Sequence, residues 1–377
     1  MKIPFVDLKA QYLLLKDEID SAMESVIFET AFIGGKYVEN FEKEFSSLYG
    51  VNHCIGVANG TDSLYIIMKM LGITIGDEVI VPVNTWISSS ETITQTGAKP
   101  IFVDIDDYYS IDASKIEEKI TSCTKAIIAV HLQGQMCAIE KIADIANKNH
   151  LHLIEDCAQS HFSTYKSRNA GLFGIAGSFS FFPGKNLGAY GDAGCIITND
   201  EELALKCRMY ARHGALKKHE HQIEGINSRL DGLQAAILSV KLRYILEWTR
   251  KRQEAASLYS QKLKNIGDIQ IPLTRENTTH SFHLYVIRTS FRDELKEFLQ
   301  KNKIECAIHY PRILSNLPAY KYLNHSFTDF PVANQYQNEI LSLPIYPEIT
   351  EEQIEYISGI IKLFFEKQAP LLQTNNT

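Results

Sequence analysis

One lysine in this sequence has an unusual setting. The stretch SFSFFPGKNLGAYGDAG, residues 178–194, places Lys185 in a glycine-rich turn directly after an aromatic run. A solvated lysine needs no such surroundings, whereas an amine that must meet a carbonyl carbon at a fixed angle does. Lys185 is therefore a candidate for forming a Schiff base with an aldehyde or ketone.

Two further features follow predicted strands. Gly60 and Thr61 open a helix in NGTDS, directly after HCIGVA, and free amides at a helix N-terminus bind phosphate. Taken alone, an ordinary Asn-Gly turn with a helix cap is the simpler interpretation. Trp86, one of two tryptophans, follows EVIVPV. It could stack on a flat ring, although a tryptophan buried in the core is commoner.

A third feature is the pair of carboxylates at the end of HLIEDC, Glu155 and Asp156, with Gln159 just beyond. A carboxylate ending an apolar strand needs a cationic or hydrogen-bonding partner. A structural salt bridge and a functional role fit Asp156 about equally well.

These features together match the needs of pyridoxal 5'-phosphate. A lysine forms the Schiff base, and a carboxylate keeps the pyridine nitrogen protonated so that the ring accepts electrons. Other phosphate sites fit less well. The sequence has no GxxxxGK[ST], and GLFGIAG has the wrong spacing for GxGxxG.

The elements that must position these residues are predicted from alternating patterns between residues 50 and 200. β-rich runs, among them KAIIAVHL and HLIEDC, alternate with helical stretches such as DASKIEEKI (112–120) and AIEKIADIANKNH (138–150). Such alternation predicts an α/β fold with a mainly parallel sheet covered on both faces. GSFSFF and GCIIT read as further strands of it. Ligands of these sheets bind beyond the carboxyl ends of the strands.

The pattern changes near residue 201. The stretch DGLQAAILSVKLRYILEWTRKRQEAASLYSQKL (231–263) predicts a long helical connection, and HSFHLYVIRT, RDELKEFLQKNKI and IECAIHY predict a smaller α/β unit. We expect a large cofactor-binding domain over 1–245 and a small C-terminal domain over 246–377. The N-terminal segment is free to pack on the small domain.

Composition excludes several classes of protein. The net charge is −7 and no dense Lys/Arg block occurs, which argues against nucleic-acid binding. No apolar run approaches the roughly 20 residues of a membrane span, and the N-terminus lacks a signal-peptide core, so a cytoplasmic protein is expected. Seven scattered cysteines predict neither disulfides nor a zinc cluster. His219 and His221 fit a solvated loop better than a metal site.

Several ordered motifs carry a family resemblance: ANGTDSL, GDEVIVP, GAKPIFVDID, IEDCAQSHF, SFSFFPGKNLGAYGDAG and EGINSRLDGLQAAIL. Over nearly its whole length the chain resembles the DegT/DnrJ/EryC1/StrS sugar aminotransferases. These are pyridoxal-phosphate enzymes of fold type I, which is aspartate aminotransferase-like. The resemblance implies a large domain, with a mainly parallel sheet flanked by helices, and a smaller C-terminal α/β domain.

The resemblance also implies roles position by position. Lys185 matches the Schiff-base lysine and Asp156 the partner of the pyridine nitrogen; these two are the expected catalytic residues. The other expected cofactor contacts are the residue near the ring hydroxyl (Gln159), the phosphate cradle (Gly60, Thr61, Ser180), the ring-stacking aromatic (Trp86) and a residue that reaches the neighbouring subunit's cofactor (Asn227). The last match implies a homodimer with shared active sites.

Three more residues match substrate contacts by resemblance: Arg229, His309 and Tyr310. For Arg229, a surface charge is an equally simple interpretation. A relative that removes a sugar hydroxyl has histidine at the lysine position, so Lys185 favours transamination.

The expected reaction is the amination of a keto group on a dTDP- or UDP-linked sugar, a 3-oxo sugar by preference. L-glutamate is the expected donor, and lipopolysaccharide O-antigen or other surface glycans the expected destination. A 4-keto sugar substrate, or a non-catalytic PLP-binding regulator, is the alternative.

Overall fold

A computed structural model describes the backbone of residues 1–374 and the side chains through residue 367. Its helices in chain order are α1 (Leu8–Leu14), α2 (Lys16–Phe28), α3 (Lys36–Tyr49), α4 (Gly60–Met70), α5 (Ser88–Thr96), α6 (Ile139–Lys148), α7 (Glu201–Tyr210), α8 (Gly232–Leu242), α9 (Ile245–Leu263), α10 (Arg292–Lys301), α11 (Pro331–Glu339) and α12 (Glu351–Thr374). Its strands are β1 (His53–Val57), β2 (Glu78–Pro82), β3 (Lys99–Val103), β4 (Thr124–Val130), β5 (His152–Asp156), β6 (Thr164–Tyr165), β7 (Arg168–Asn169), β8 (Ala176–Ser180), β9 (Gly194–Thr198), β10 (Thr278–Thr279), β11 (Tyr285–Arg288) and β12 (Ile340–Leu343).

The central sheet has seven strands in the order β1-β9-β8-β5-β4-β2-β3. The five strands from β8 to β3 are mutually parallel. Only β9 runs against its neighbours, β1 and β8. The expected mainly parallel sheet is therefore confirmed, and β8 and β9 belong to it as predicted. Strand β1 runs in the same direction as β8, so its carboxyl end lies at the same edge as those of the parallel strands.

Both faces of this sheet are covered, which explains the nearly continuous apolar runs of its strands. Successive side chains of β4 point to opposite faces. Ile127 and Ala129 pack into one buried core, and Ala126 and Ile128 into another.

A third buried core lies outside the central sheet. It joins α9, α10 and α12 to the small antiparallel sheet of β11 and β12. Ile3 belongs to this core and forms a parallel bridge with Ile304. The N-terminal segment thus packs on C-terminal elements, while the division at residues 245 and 246 stays a prediction.

Two helix predictions differ from the structure. DASKIEEKI forms two short 3₁₀ turns, Ala113–Lys115 and Glu117–Lys119. The Asp112 carboxylate accepts hydrogen bonds from the amide and hydroxyl of Ser114, and such local bonds compete with an α-helix. The long stretch over 231–263 is two helices, α8 and α9, separated at Arg243 and Tyr244.

IECAIHY, one of the stretches that indicated the C-terminal α/β unit, contributes only isolated bridges, such as that between Ala307 and Ser342. No helix in the described part of the chain is both long and apolar enough to cross a membrane.

Candidate active site

A cavity of about 710 Å³ opens where the carboxyl ends of the sheet strands meet the C-terminal elements. Nine of the eleven residues singled out from the sequence line it: Gly60, Thr61, Trp86, Asp156, Gln159, Ser180, Lys185, His309 and Tyr310. The fold therefore gathers residues that lie up to 250 positions apart in the sequence (from Gly60 to Tyr310).

Lys185 lies in the turn between β8 and β9, as the glycine pattern indicates. The turn is held by backbone bonds, from the Lys185 amide to the Phe182 carbonyl (2.8 Å) and from the Ala189 amide to the Phe181 carbonyl (2.8 Å). Burial lowers the pKa of Lys185 to about 8, against an opposing effect of Asp156. A substantial fraction of this amine is therefore neutral, and so nucleophilic, near physiological pH.

Asp156 ends β5 and is almost fully buried. Its Oδ2 accepts a hydrogen bond from the Ser89 hydroxyl (2.8 Å), and its Oδ1 accepts one from the Ala158 amide (3.1 Å). Neither partner is cationic. The carboxylate is therefore oriented by neutral donors and stays available to a positively charged ring nitrogen.

The neighbouring Glu155 has a different role. Its carboxylate accepts hydrogen bonds from the amides of Gly171, Phe173 and Gly174 and pairs with His131 at 2.9 Å. It points away from the cavity lining and fixes a loop. Of the two carboxylates at this strand end, Glu155 is thus structural.

Gln159 connects two elements at the cavity wall. Its side-chain oxygen accepts a hydrogen bond from the Gln133 amide (2.6 Å), and its nitrogen donates to the Tyr310 hydroxyl (3.0 Å). The Tyr310 ring lies 5.5 Å from that of Trp86. Trp86 is 56% exposed, so it lies at the cavity rim and not in the core.

The first turn of α4 forms a cradle that suits a phosphate. The Asn59 side chain caps the helix by accepting from the Asp62 amide (2.8 Å), while the amides of Gly60 and Thr61 have no acceptor within the helix. A side chain at position 60 would place its Cβ 2.7 Å from the Ser180 Cβ. Only glycine therefore lets the helix end approach Ser180 this closely.

The hydroxyl of Thr61 is also held in place, 2.7 Å from that of Ser88 in the first turn of α5. The free amides of α4 and the fixed hydroxyls of Thr61 and Ser88 fit the phosphate of pyridoxal phosphate. The oriented carboxylate of Asp156, across the cavity, fits its ring.

Two predicted residues lie outside this cavity. Asn227 is exposed and Arg229 is half-buried, in the segment before α8. Ser228, between them, accepts a hydrogen bond from the Ala58 amide (3.1 Å) beside the cradle. The structure thus fixes this segment next to the cradle, with the two predicted side chains off the cavity wall.

The cavity residues that were missed from the sequence include a buried cation, Arg252, and a histidine, His283. His283 precedes β11, so the position of a histidine just before an apolar run was a usable signal. Arg252 lies within the charged helix α9, where the sequence offers no means of separating it from its exposed neighbours.

The sequence of the chain also matches a known protein family. Residues 14–362 match the sequence model of the DegT/DnrJ/EryC1/StrS aminotransferase family. The chain belongs to this family. A dTDP-3-amino-3,6-dideoxy-alpha-D-galactopyranose transaminase of Aneurinibacillus thermoaerophilus is 44% identical over 94% of this chain and 97% of its own length. A "pleiotropic regulatory protein" of Geobacillus stearothermophilus is 42% identical over 97% and 99%.

Among solved structures, S. venezuelae DesV in complex with a ketimine intermediate superimposes with a TM-score of 0.95. It is 36% identical, and the match covers 97% of this chain and 99% of that one. The family, the fold class, the enzyme class and the cofactor expected from the sequence are thereby confirmed.

Proposed function

We propose that this nucleotide-sugar aminotransferase moves an amino group from L-glutamate to the 3-keto carbon of a dTDP- or UDP-linked sugar. The observation that carries the proposal is the cavity that brings Lys185, Asp156 and the α4 cradle together. The 44% identical relative supports position 3 by its name.

When bound, pyridoxal phosphate supplies an aldehyde that accepts the amino group and a ring that delocalises the electron pair left on the donor's α-carbon. Gly60, Thr61 and Ser180 would hold its phosphate. Lys185 would hold the aldehyde carbon, then take the proton from the donor's α-carbon and deliver it to that aldehyde carbon. A lysine pKa of about 8 suits a group that both gives and takes a proton near neutral pH.

The remaining cavity residues would orient the cofactor ring and contact the sugar substrate. Asp156, fixed by Ser89, would keep a ring nitrogen protonated, and Gln159 would meet the ring hydroxyl. Trp86 would stack on the ring. His309 and Tyr310 would contact the sugar, and Arg229 of a second subunit its pyrophosphate, because an arginine can bind phosphate oxygens through two parallel hydrogen bonds.

We also propose a homodimer with shared active sites. Asn227 is exposed, and two exposed apolar residues lie near its segment: Phe32 is 43% exposed and Ile33 54%. Ile33 forms a bridge with Asp231, four residues after Asn227. A second copy covering this apolar surface would bring Asn227 to the partner's cofactor.

Two alternatives remain beside this proposal. A 4-keto sugar would need the same residues, differing only in which ring carbon is presented to the amino group that the cofactor would carry. The other alternative is a regulator that binds the cofactor without turnover; the 42% identical relative is named a pleiotropic regulatory protein. A cytoplasmic location and a product destined for O-antigen or another surface glycan stay predictions.

A panel of dTDP- and UDP-linked 3-keto and 4-keto sugars, assayed with L-glutamate, tests the proposal. We expect amino sugar from a 3-keto substrate with wild-type protein and none with Lys185→Ala. Product from 4-keto sugars alone would contradict the ring position. Cofactor binding without turnover on any sugar would favour the regulator.

A further inference from the structure

Arg252 is a buried cation in the wall of the active-site cavity. It lies on α9, and only 4% of its surface is exposed. None of the described side chains brings a carboxylate within the 4.0 Å of an ion pair with it. Such a charge is unfavourable unless something compensates it.

The hydrogen bonds of Arg252 leave one side of its guanidinium unused. Nη1 donates to the carbonyls of Ile345 (3.0 Å), Phe282 (3.3 Å) and His283 (3.5 Å). Nε is buried and has no partner among the described residues. The Nε side of a guanidinium is one that a carboxylate can bind through two parallel hydrogen bonds. Because Nε has no exposed surface as the side chain stands, this binding requires Arg252 to turn toward the cavity that it lines.

Glu348 is the acid that attracts Arg252 most. Burial lowers the pKa of Arg252 to about 10, and Glu348 opposes this decrease. Burial raises the pKa of Glu348, and its Oε1 also lacks a hydrogen-bond partner. The two groups attract one another without contact, so Glu348 leaves the Nε side of Arg252 free.

We infer that Arg252 binds a carboxylate of the amino donor, an inference that rests on the proposed function in taking an amino acid as donor. Lys185, beside which the donor's amine must react, lines the same cavity as Arg252 and His283. Burial lowers the pKa of His283, and Lys185 and Arg252 lower it further, as expected if His283 lies near both cations. A nucleotide-linked sugar is larger and needs the open rim, where Trp86 and Phe182 are more than half exposed. The enclosed position of Arg252 suits a small anion.

The test uses Arg252→Gln in the PLP-loaded protein, with Arg252→Lys as a second variant that keeps the charge. Arg250→Gln is the matched control, because Arg250 lies on the same helix but is exposed and paired with Glu254. The two half-reactions are followed separately by absorbance: the PLP form with L-glutamate, and the PMP form with the keto sugar. Calorimetry measures the binding of glutarate, a dicarboxylate without an amine.

We expect Arg252→Gln to lower kcat/KM for L-glutamate by about 100-fold, mainly through KM, and to weaken glutarate binding by a similar factor. The sugar half-reaction should change less than about threefold, Arg252→Lys should lie between, and Arg250→Gln should match wild type. L-alanine, a donor with only the α-carboxylate, then shows which carboxylate of L-glutamate Arg252 binds. If Arg252→Gln lowers kcat/KM for both donors, Arg252 binds the α-carboxylate. If it lowers kcat/KM for L-glutamate alone, Arg252 binds the side-chain carboxylate.

Several outcomes would overturn the inference. An equal loss in both half-reactions would make Arg252 only a clamp on the three carbonyls, and a loss confined to the sugar half-reaction would assign it to the nucleotide sugar. Unchanged glutarate binding in a folded Arg252→Lys would also contradict it, even if Arg252→Gln failed to fold. The donor half-reaction needs no sugar, so a wrong sugar assignment would not affect this result.

Discussion

At the scale of single residues, the site separates two adjacent carboxylates by their partners. Glu155 satisfies three backbone amides and a histidine, whereas Asp156 receives only one hydroxyl and one amide. The sequence placed both at the end of one strand and left the role of Asp156 open. The two residues have different partners because successive side chains of a strand point to opposite faces of the sheet.

Lys185 gives a prediction about pH. Its pKa is lowered from 10.5 to about 8, and only the neutral amine attacks an aldehyde. The rate at which the cofactor-free protein attaches pyridoxal phosphate should therefore rise with pH, with a midpoint near 8, and level off about one pH unit above it. We would measure this rate by borohydride trapping at each pH, with peptide mapping to count only adducts on Lys185.

Lys241 provides a check within the same protein. Burial lowers its pKa to about 8 as well, but its Nζ donates to the Gly188 carbonyl at 2.7 Å. A label on Lys241 would contradict the assignment of Lys185. A midpoint near 10.5 would show instead that burial does not activate the lysine.

At the scale of elements, the cradle depends on how closely α4 approaches the end of β8. In Gly60→Ala the new Cβ would lie 2.7 Å from that of Ser180, so one of the two elements must move. We expect the Kd for pyridoxal phosphate to rise roughly 10-fold. The Kd for pyridoxal, which has no phosphate, should change little, so the ratio of the two affinities should fall.

Gly359→Ala is the matched control, because Gly359 lies in α12 and its Cβ would meet no atom within 4 Å. It should leave both affinities unchanged. If Gly60→Ala weakened pyridoxal and pyridoxal phosphate equally, the α4 turn would not be the phosphate site.

Some features of the fold could be predicted from the sequence and others could not. The parallel sheet followed from apolar runs, because burial on both faces demands them. The residues after those runs met at one edge, as the topology requires. The 3₁₀ turns after Asp112 depended on side-chain bonds that compete with a helix. The burial of Arg252 in the cavity wall depended on which face of α9 the C-terminal elements cover, and the pattern of charges along α9 does not predict this tertiary contact.

At the scale of the whole molecule, a single chain does not bring all of the predicted residues into its own active-site cavity. Nine of them line the cavity, while Asn227 is exposed beside an apolar surface. In a two-fold dimer each active site would draw on both chains. This arrangement can be tested by mixing two inactive variants.

Lys185→Ala and Asn227→Glu should each be inactive alone, and their mixture should recover activity. A heterodimer of the two would have one site with both defects and one site with neither. Random pairing makes half of the dimers heterodimers, so about a quarter of the wild-type sites should be intact. Subunit exchange is first confirmed with two affinity tags. A mixture of Lys185→Ala and Asp156→Asn is the negative control, because both residues serve the same chain's site and every heterodimer site would keep one defect. If exchange occurs and the first mixture stays as inactive as the second, Asn227 acts within its own subunit and the shared site is wrong.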